Sequence, residues 1–397
     1  MCSEDLQFRA EGEHEPRFRG VVDAFENNFH QRREVGAAVA VTLHGRLVVD
    51  VWCGDADQAG TRRWQADTLA NVYSATKGVV AVCVLQLAER GILDLDAPVI
   101  AYWPEFAQAG KDDVRVRWIL SHRAGLPAIR QRLHPDAIHN WEAMTEAIAA
   151  ERPWWTPGEH HGYHAMTFGW LAGELIRRTT GLSPGEYLAQ RIARPAGLDF
   201  HIGLADAHHA RAAELGPLAG IDELAAAEPH FARELVRNPQ GMTALAYSNP
   251  SFITRGPNRA EWCRAEIPAA NGHGTARALA QLYGGLATGG TIEGVHLLHR
   301  GTVEQHCVVE QSIGFDAVLQ LRTRFSLGFM LSQPDIANGA FGPSETAFGH
   351  SGAGGSVGFA DPASGIGFGY VTNRMGPRLL LDPRPLAIVD ALYRALR

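Results

Sequence analysis

Ser74 and Lys77 stand three residues apart in NVYSATKGVVAVCVLQLAERG, residues 71–91. On a helix that spacing puts both side chains on one face. A serine that opens the helix has an unpaired backbone N–H with the helix dipole behind it. Such a hydroxyl suits acyl transfer, given a neighbouring base and an N–H donor for the oxyanion. The composition bears on which residue is the base. Of 36 basic residues only Lys77 and Lys111 are lysine; the rest are arginine. Burial can bring a lysine to its neutral form near pH 7, whereas arginine holds its proton throughout. Charge alone could have come from arginine; a removable proton could not. With thirteen serines and two lysines in 397 residues, chance supplies only about 0.07 such pairs, which strengthens a short motif. The plain alternative is a helix-capping serine followed by a surface cation, which the dipole disfavours in a first turn.

The elements that must hold this pair follow from pattern. Val21, Val22, Phe25 and Phe29 recur at helical intervals over 19–34. GAAVAVTLHGRLVVDVWCGDA, 36–56, reads as two strands turning at His44-Gly45. Val79 to Leu87 suit a buried helix that Gly91 follows. From 92 to about 320 the patterns are mostly helical, among them 166–179, 184–193 and 275–287. Strand-like sequence returns in FSLGFML (325–331), GSVGFADP (355–362) and GIGFGYVTN (365–373), and a helix over 385–396 closes the chain. The expected fold is α/β (α+β): an antiparallel sheet built from both chain termini, flanked by helices, with a large helical insertion. The expected division is an α/β domain of residues 1–73 and 322–397 and a mainly helical domain of 74–321. The active site would lie between them.

SATK at the head of an apolar helix, then GILDLDAPV, then ILSHRAGLP (119–127), resembles the serine β-lactamase and penicillin-binding superfamily. The likeness spans about 20 to 395 and is closest to class C β-lactamases and the family VIII carboxylesterases. It implies a β-lactamase-like fold, a metal-free and cofactor-free acyl-enzyme mechanism, and a tyrosine facing the Ser/Lys pair. Two stretches offer that tyrosine: a literal Tyr247-Ser248-Asn249, and Tyr163-His164-Ala165 in PGEHHGYHAMTFGWLAGELIRRTTG. Tyr163 fits the family context better, lying between a Pro-Gly turn and an amphipathic helix, whereas a loop-like stretch follows Tyr247. Ala165 replaces the family's Asn, which weakens the case for lactam recognition. FGHSGAGGSVGFADP (348–362) resembles the family's Lys-Thr-Gly strand, with His350-Ser351-Gly352 in its place. The second oxyanion donor would then be the N–H of Ala353, alongside that of Ser74. A histidine is largely neutral at pH 7, so neutral esters are favoured over anionic substrates. His350 as a purely structural residue is the alternative.

Other residues invite weaker readings. His160 and His164 have the i, i+4 spacing of a zinc pair, but no Glu completes a metalloprotease pattern around His160, His161 and His164. Gly354-Gly355-Ser356-Val357-Gly358 matches G-x-S-x-G, yet it leads into strand-like sequence and no His follows His350, contrary to α/β-hydrolase order. His122 reads as packing. Trp154 and Trp155 either wall an acyl pocket or belong to the core. Net charge of −7 argues against nucleic acid, and no apolar run is long enough for a membrane span. Cys2, Cys53, Cys83, Cys263 and Cys307 are odd in number and widely spread. With an acidic start that lacks a secretory pattern, they fit a cytoplasmic protein with reduced thiols. The expected activity is a serine hydrolase acting on short-chain carboxylic esters. β-Lactamase, D-amino-acid peptidase and acyltransferase chemistry, or a non-catalytic scaffold, are the alternatives; the oligomeric state is open.

Overall fold

The computed structural model describes residues 8–251 and 256–397; Cys2 and part of the stretch after Tyr247 lie outside them. Its centre is a nine-stranded antiparallel sheet. The strands are β1 (Glu11–His14), β2 (Gly36–Leu43), β3 (Arg46–Gly54), β4 (Ser312–Phe315), β5 (Arg322–Phe325), β6 (Met330–Leu331), β7 (Phe348–Ser351), β8 (Val357–Asp361) and β9 (Ile366–Thr372). Their order is β1-β3-β2-β9-β8-β7-β6-β5-β4. The last strand therefore pairs with an early one, in register from Ile366↔Leu43 to Thr372↔Ala37. The sheet is built from both ends of the chain, as the sequence pattern suggested.

Local chemistry explains the central strands. His44 and Gly45 take φ of 49° and 79°, the left-handed pair that lets a two-residue turn match strand twist. In GIGFGYVT, alternate residues face opposite layers. Ile366, Phe368 and Tyr370 are fully buried in the core that also holds residues of helices α1 (Arg19–Gln31) and α5 (Pro383–Leu396). The other face presents Gly367 and Gly369 to helix α4 (Ala276–Ala287). A Cβ at either glycine would lie 2.2 Å from α4 backbone, at Gly284 N or Ala276 O. Those two glycines let helix and strand backbones touch. Beside α4, against β7, runs α2 (Ala75–Glu89), buried on every side from Ala75 to Leu87, as an evenly apolar helix must be. It packs on α3 (Thr167–Thr180), which ends at Gly181 in a left-handed cap.

Three strands depart from the expectation. FSLGFML is not one strand: Phe325 and Met330 pair across a reversal in which Ser326 N donates to Phe329 O. Here Arg322 and Arg324 break the apolar alternation of β5. The edge strand β4 exposes Ile313 and Phe315, and β1, Glu-Gly-Glu-His, is wholly polar. Both are edges held by backbone pairing, with little apolar signal to read.

A buried ionic cluster ties the two chain ends together. Arg384, at the start of α5, lies 2.9 Å from Glu34 Oε2 and donates through Nε to Asp382 Oδ1 at 2.8 Å. Thr372 Oγ1 and Tyr370 Oη also donate to Glu34. The same guanidinium donates to Gly354 O and Arg374 O, which fastens the loop after β7. Breaking a buried pair from one side strands a charge. Arg384→Met is expected to lower unfolding stability by ~3–5 kcal/mol in urea denaturation. A loss under about 1 kcal/mol, the value of a surface pair, would show that the cluster does not hold the termini.

Candidate active site

Ser74 sits at the N-cap of α2, delivered by a turn in which Tyr73 has φ of 44°. Its side chain is half-buried, and among the described residues its backbone N–H donates no hydrogen bond. Lys77, one turn on, is fully buried. Its Nζ lies 3.0 Å from Ser74 Oγ, 2.8 Å from Ala165 O and 2.9 Å from Ala269 O. No carboxylate pairs with it among the described residues. Burial pushes its pKa well below the usual lysine value. The geometry agrees with a neutral amine. Two carbonyls accept its two N–H bonds, and the lone pair is left for the Ser74 hydroxyl.

Tyr163 comes to this pair just ahead of α3. Its ring centre is 4.8 Å from Lys77 Nζ, and the residue is almost wholly buried. Its hydroxyl makes no well-formed hydrogen bond among the described residues. Ser74, however, is near enough to favour its ionised form slightly. Burial outweighs this and drives the phenol pKa up, so Tyr163 keeps its proton. Its backbone is pinned by Asp316, whose Oδ1 accepts from the N–H groups of Tyr163, Val318 and Leu319 at 3.0, 2.9 and 2.8 Å. Its ring stacks on Phe325 at 6.0 Å and meets His122 at 4.8 Å.

Tyr247 ends a short helix, Met242–Ser248, and packs edge-on against Phe231. A charge on Tyr163 would add to the burial that already raises its pKa, so it lies in the same neighbourhood. No hydrogen bond or ring contact joins it to Ser74 or Lys77 among the described residues. Asn249 instead braces the loop after Leu126, through Ile129 O, Gln131 O and Leu133 N.

The histidines around the pair are neutral and spoken for. His164 Nε2 accepts from Leu126 N, and Nδ1 donates to Gly162 O. Burial lowers its pKa to about 3. His122, at φ of 60°, accepts the His164 N–H on Nδ1; burial drives its pKa far down, with His164 and Lys77 adding to the effect. His161 Nε2 lies 2.8 Å from Thr323 Oγ1, and His160 is exposed. With both ring nitrogens of His164 committed to the backbone, His160 and His164 do not form a metal pair.

Strand β7 carries His350, Ser351 and, just beyond, Gly352 and Ala353. His350 is fully buried, with Nδ1 donating to Ser351 O. Burial and then Lys77 lower its pKa to about 3, so it offers no cation. Ser351 Oγ turns to Met330 Sδ. A Cβ on Gly352 would sit 2.0 Å from Val72 O and 3.4 Å from Ala75 N, so only glycine lets this loop reach the Ser74 turn. Ala353 is exposed, and its N–H donates to no described residue. Ser356 stands just before β8, its Oγ accepting from Thr372 N, with a strand and no helix after it; it is no nucleophile elbow. Trp155 contacts Gly162 and His164 beside Tyr163. Trp154 turns instead to Ala128 O and the Arg130 guanidinium. Asp316, Phe325 and the carbonyls of Ala165 and Ala269 had no sequence signal, being distant in the chain from the residues they serve.

Comparison with known proteins bears on the family and the fold. A family model described as Beta-lactamase matches residues 21–392. The esterase/beta-lactamase LipL of Mycobacterium tuberculosis is 38% identical over 382 residues, 95% of this chain and 86% of that protein. A crystal structure of a family VIII carboxylesterase superposes with a TM-score of 0.88 at 38% identity, covering 97% of this chain and 99% of the other. A penicillin-binding protein homologue from Caulobacter crescentus gives 0.87 at 38% identity, with the same coverage. Their match runs through both the sheet and the helical layer, and so through every segment that meets at Ser74: this chain belongs to the beta-lactamase family.

Proposed function

We propose that this serine hydrolase is a carboxylesterase for short-chain esters, with Ser74 as the nucleophile. The observation that carries the reading is the Lys77 amine, buried without an acidic partner among the described residues and 3.0 Å from Ser74 Oγ. Lys77 takes the Ser74 proton as the oxygen attacks the ester carbonyl. The N–H groups of Ser74 and Ala353 hold the oxyanion. Tyr163, which keeps its proton, donates it to the departing alkoxide and recovers one from the Lys77 ammonium. Water then attacks the acyl-enzyme through the same groups in reverse. The neutral His350 and the absence of the family's Asn at Ala165 favour uncharged esters over β-lactams. The neighbour named as a family VIII carboxylesterase supports the same choice, while LipL is named for both activities. The proposed division, residues 1–73 with 322–397 around 74–321, puts Ser74 at the first boundary. No described helix is long and apolar enough to cross a membrane; the four described cysteines are free, which suits the cytoplasm.

Lys77→Arg puts a permanent charge at this position and removes the base. On p-nitrophenyl butyrate it is expected to lose at least ~10³-fold in kcat/KM, nearly as much as Ser74→Ala. Near wild-type turnover would remove Lys77 from the mechanism. A fluorophosphonate adduct on Ser74, mapped by intact mass and peptide analysis, is expected in folded wild type; its absence would favour a non-catalytic binding protein. Nitrocefin turnover matching ester turnover would move the assignment to β-lactamase.

Tyr163→Phe is expected to cost ~10²-fold in kcat, while Tyr247→Phe stays near wild type; the reverse would exchange the two. With pH, kcat/KM should fall on the acid side as Lys77 gains a proton, with an apparent pKa well below the ordinary lysine value. His164 and His350 stay neutral far below pH 6. The acid limb should therefore survive His350→Gln unchanged in position. A shifted limb would assign it to the histidine.

A further inference from the structure

At the opposite end of the nucleophile helix, three residues converge that the esterase chemistry does not use. Glu89 is the last residue of α2, and its side chain is 7% exposed. Its Oε2 lies 2.9 Å from His296 Nε2, and its Oε1 accepts the backbone N–H of His299 at 2.5 Å. The two imidazole rings lie 4.3 Å apart, centre to centre. One ligand atom from each of Glu89, His296 and His299 lies within 4.8 Å of the others.

We propose that Glu89, His296 and His299 form a site for a divalent transition-metal ion, with zinc the best match. One carboxylate and two imidazoles are the donors that zinc prefers. Bonds of roughly 2.0–2.1 Å in a tetrahedron put neighbouring ligand atoms roughly 3.3 Å apart. The Glu89–His296 separation is already shorter than that, and the exposed His299 ring needs only a side-chain rotation to close the third side. The ion would displace the hydrogen shared by Glu89 and His296, and water would fill the open position. Glu89 is the fixed ligand, because α2 and the His299 amide hold it. The site's place in the fold indicates a structural role. It would pin the segment from 295 to 299 to the C-terminal turn of α2, where Gln86 already donates to His296 O at 3.1 Å. The plain alternative is a histidine that hydrogen-bonds a carboxylate at a helix C-terminus.

Titration of EDTA-treated full-length protein with zinc chloride by calorimetry separates the two. One equivalent should bind with Kd of about 10 μM or tighter, and cobalt(II) should give the visible bands of a tetrahedral site. His299→Ala keeps the backbone N–H to Glu89 and changes an exposed ring. It should weaken zinc by at least ~10-fold and abolish the rise in Tm that zinc confers on wild type. Glu89→Gln should do the same. Wild-type affinity no tighter than that of the His296→Ala/His299→Ala double variant would overturn the site. So would a zinc-dependent Tm rise that persists in that variant.

Discussion

An amine enclosed in protein, with no counter-charge among the described residues, is the constraint on which the site rests. Lys77 could have been held by a carboxylate, and would then have kept its proton. It meets two backbone carbonyls instead, which satisfy a neutral amine and leave its lone pair free. Those carbonyls come from Ala165, just before α3, and Ala269, ahead of α4. The position of the amine thus depends on the whole helical layer being in place. A lysine is needed because no other common side chain combines this reach with a proton that burial can remove.

The surroundings follow the same electrostatic logic. In the proposed mechanism, a protonated histidine near Lys77 would compete with it for the one positive charge held during turnover. His122, His164 and His350 are each buried, and each has a ring nitrogen committed to backbone. Tyr163 is kept as a neutral acid by burial, and Asp316 places it by binding its amide. An unpaired base, a protonated phenol and free amides at Ser74 and Ala353 are complementary parts of one arrangement.

Much of this was legible in the sequence, for identifiable reasons. Ser74 and Lys77 are local partners, so spacing and the scarcity of lysine exposed them. The hairpin at His44-Gly45 and strand β9 announced themselves by turn chemistry and alternation. The reach of Gly367 and Gly369 toward α4 did not, since a glycine reports freedom without naming its neighbour. Edge strands β1 and β4 were hidden because backbone pairing, not apolar burial, holds them, and β5 because Arg322 and Arg324 break its alternation. Asp316 and Arg384 act on Tyr163 and the Ala353 loop across long sequence distances, and no periodicity records such partners. Tyr163 over Tyr247 came from motif context; the geometry adds the contact with Lys77.

The Glu34–Arg384 cluster has a bearing on synthesis. On the ribosome, the segment carrying Ser74 and Lys77 emerges long before β9, the central strand that closes the sheet, and before Arg384, which fastens the loop bearing Ala353. Until Arg384 has emerged, a nascent chain can shape the lysine-bearing helix but lacks the guanidinium that holds the opposing loop at Gly354. The loop bearing the proposed second oxyanion amide is therefore fastened by a contact that forms well after the helix bearing Lys77 is made.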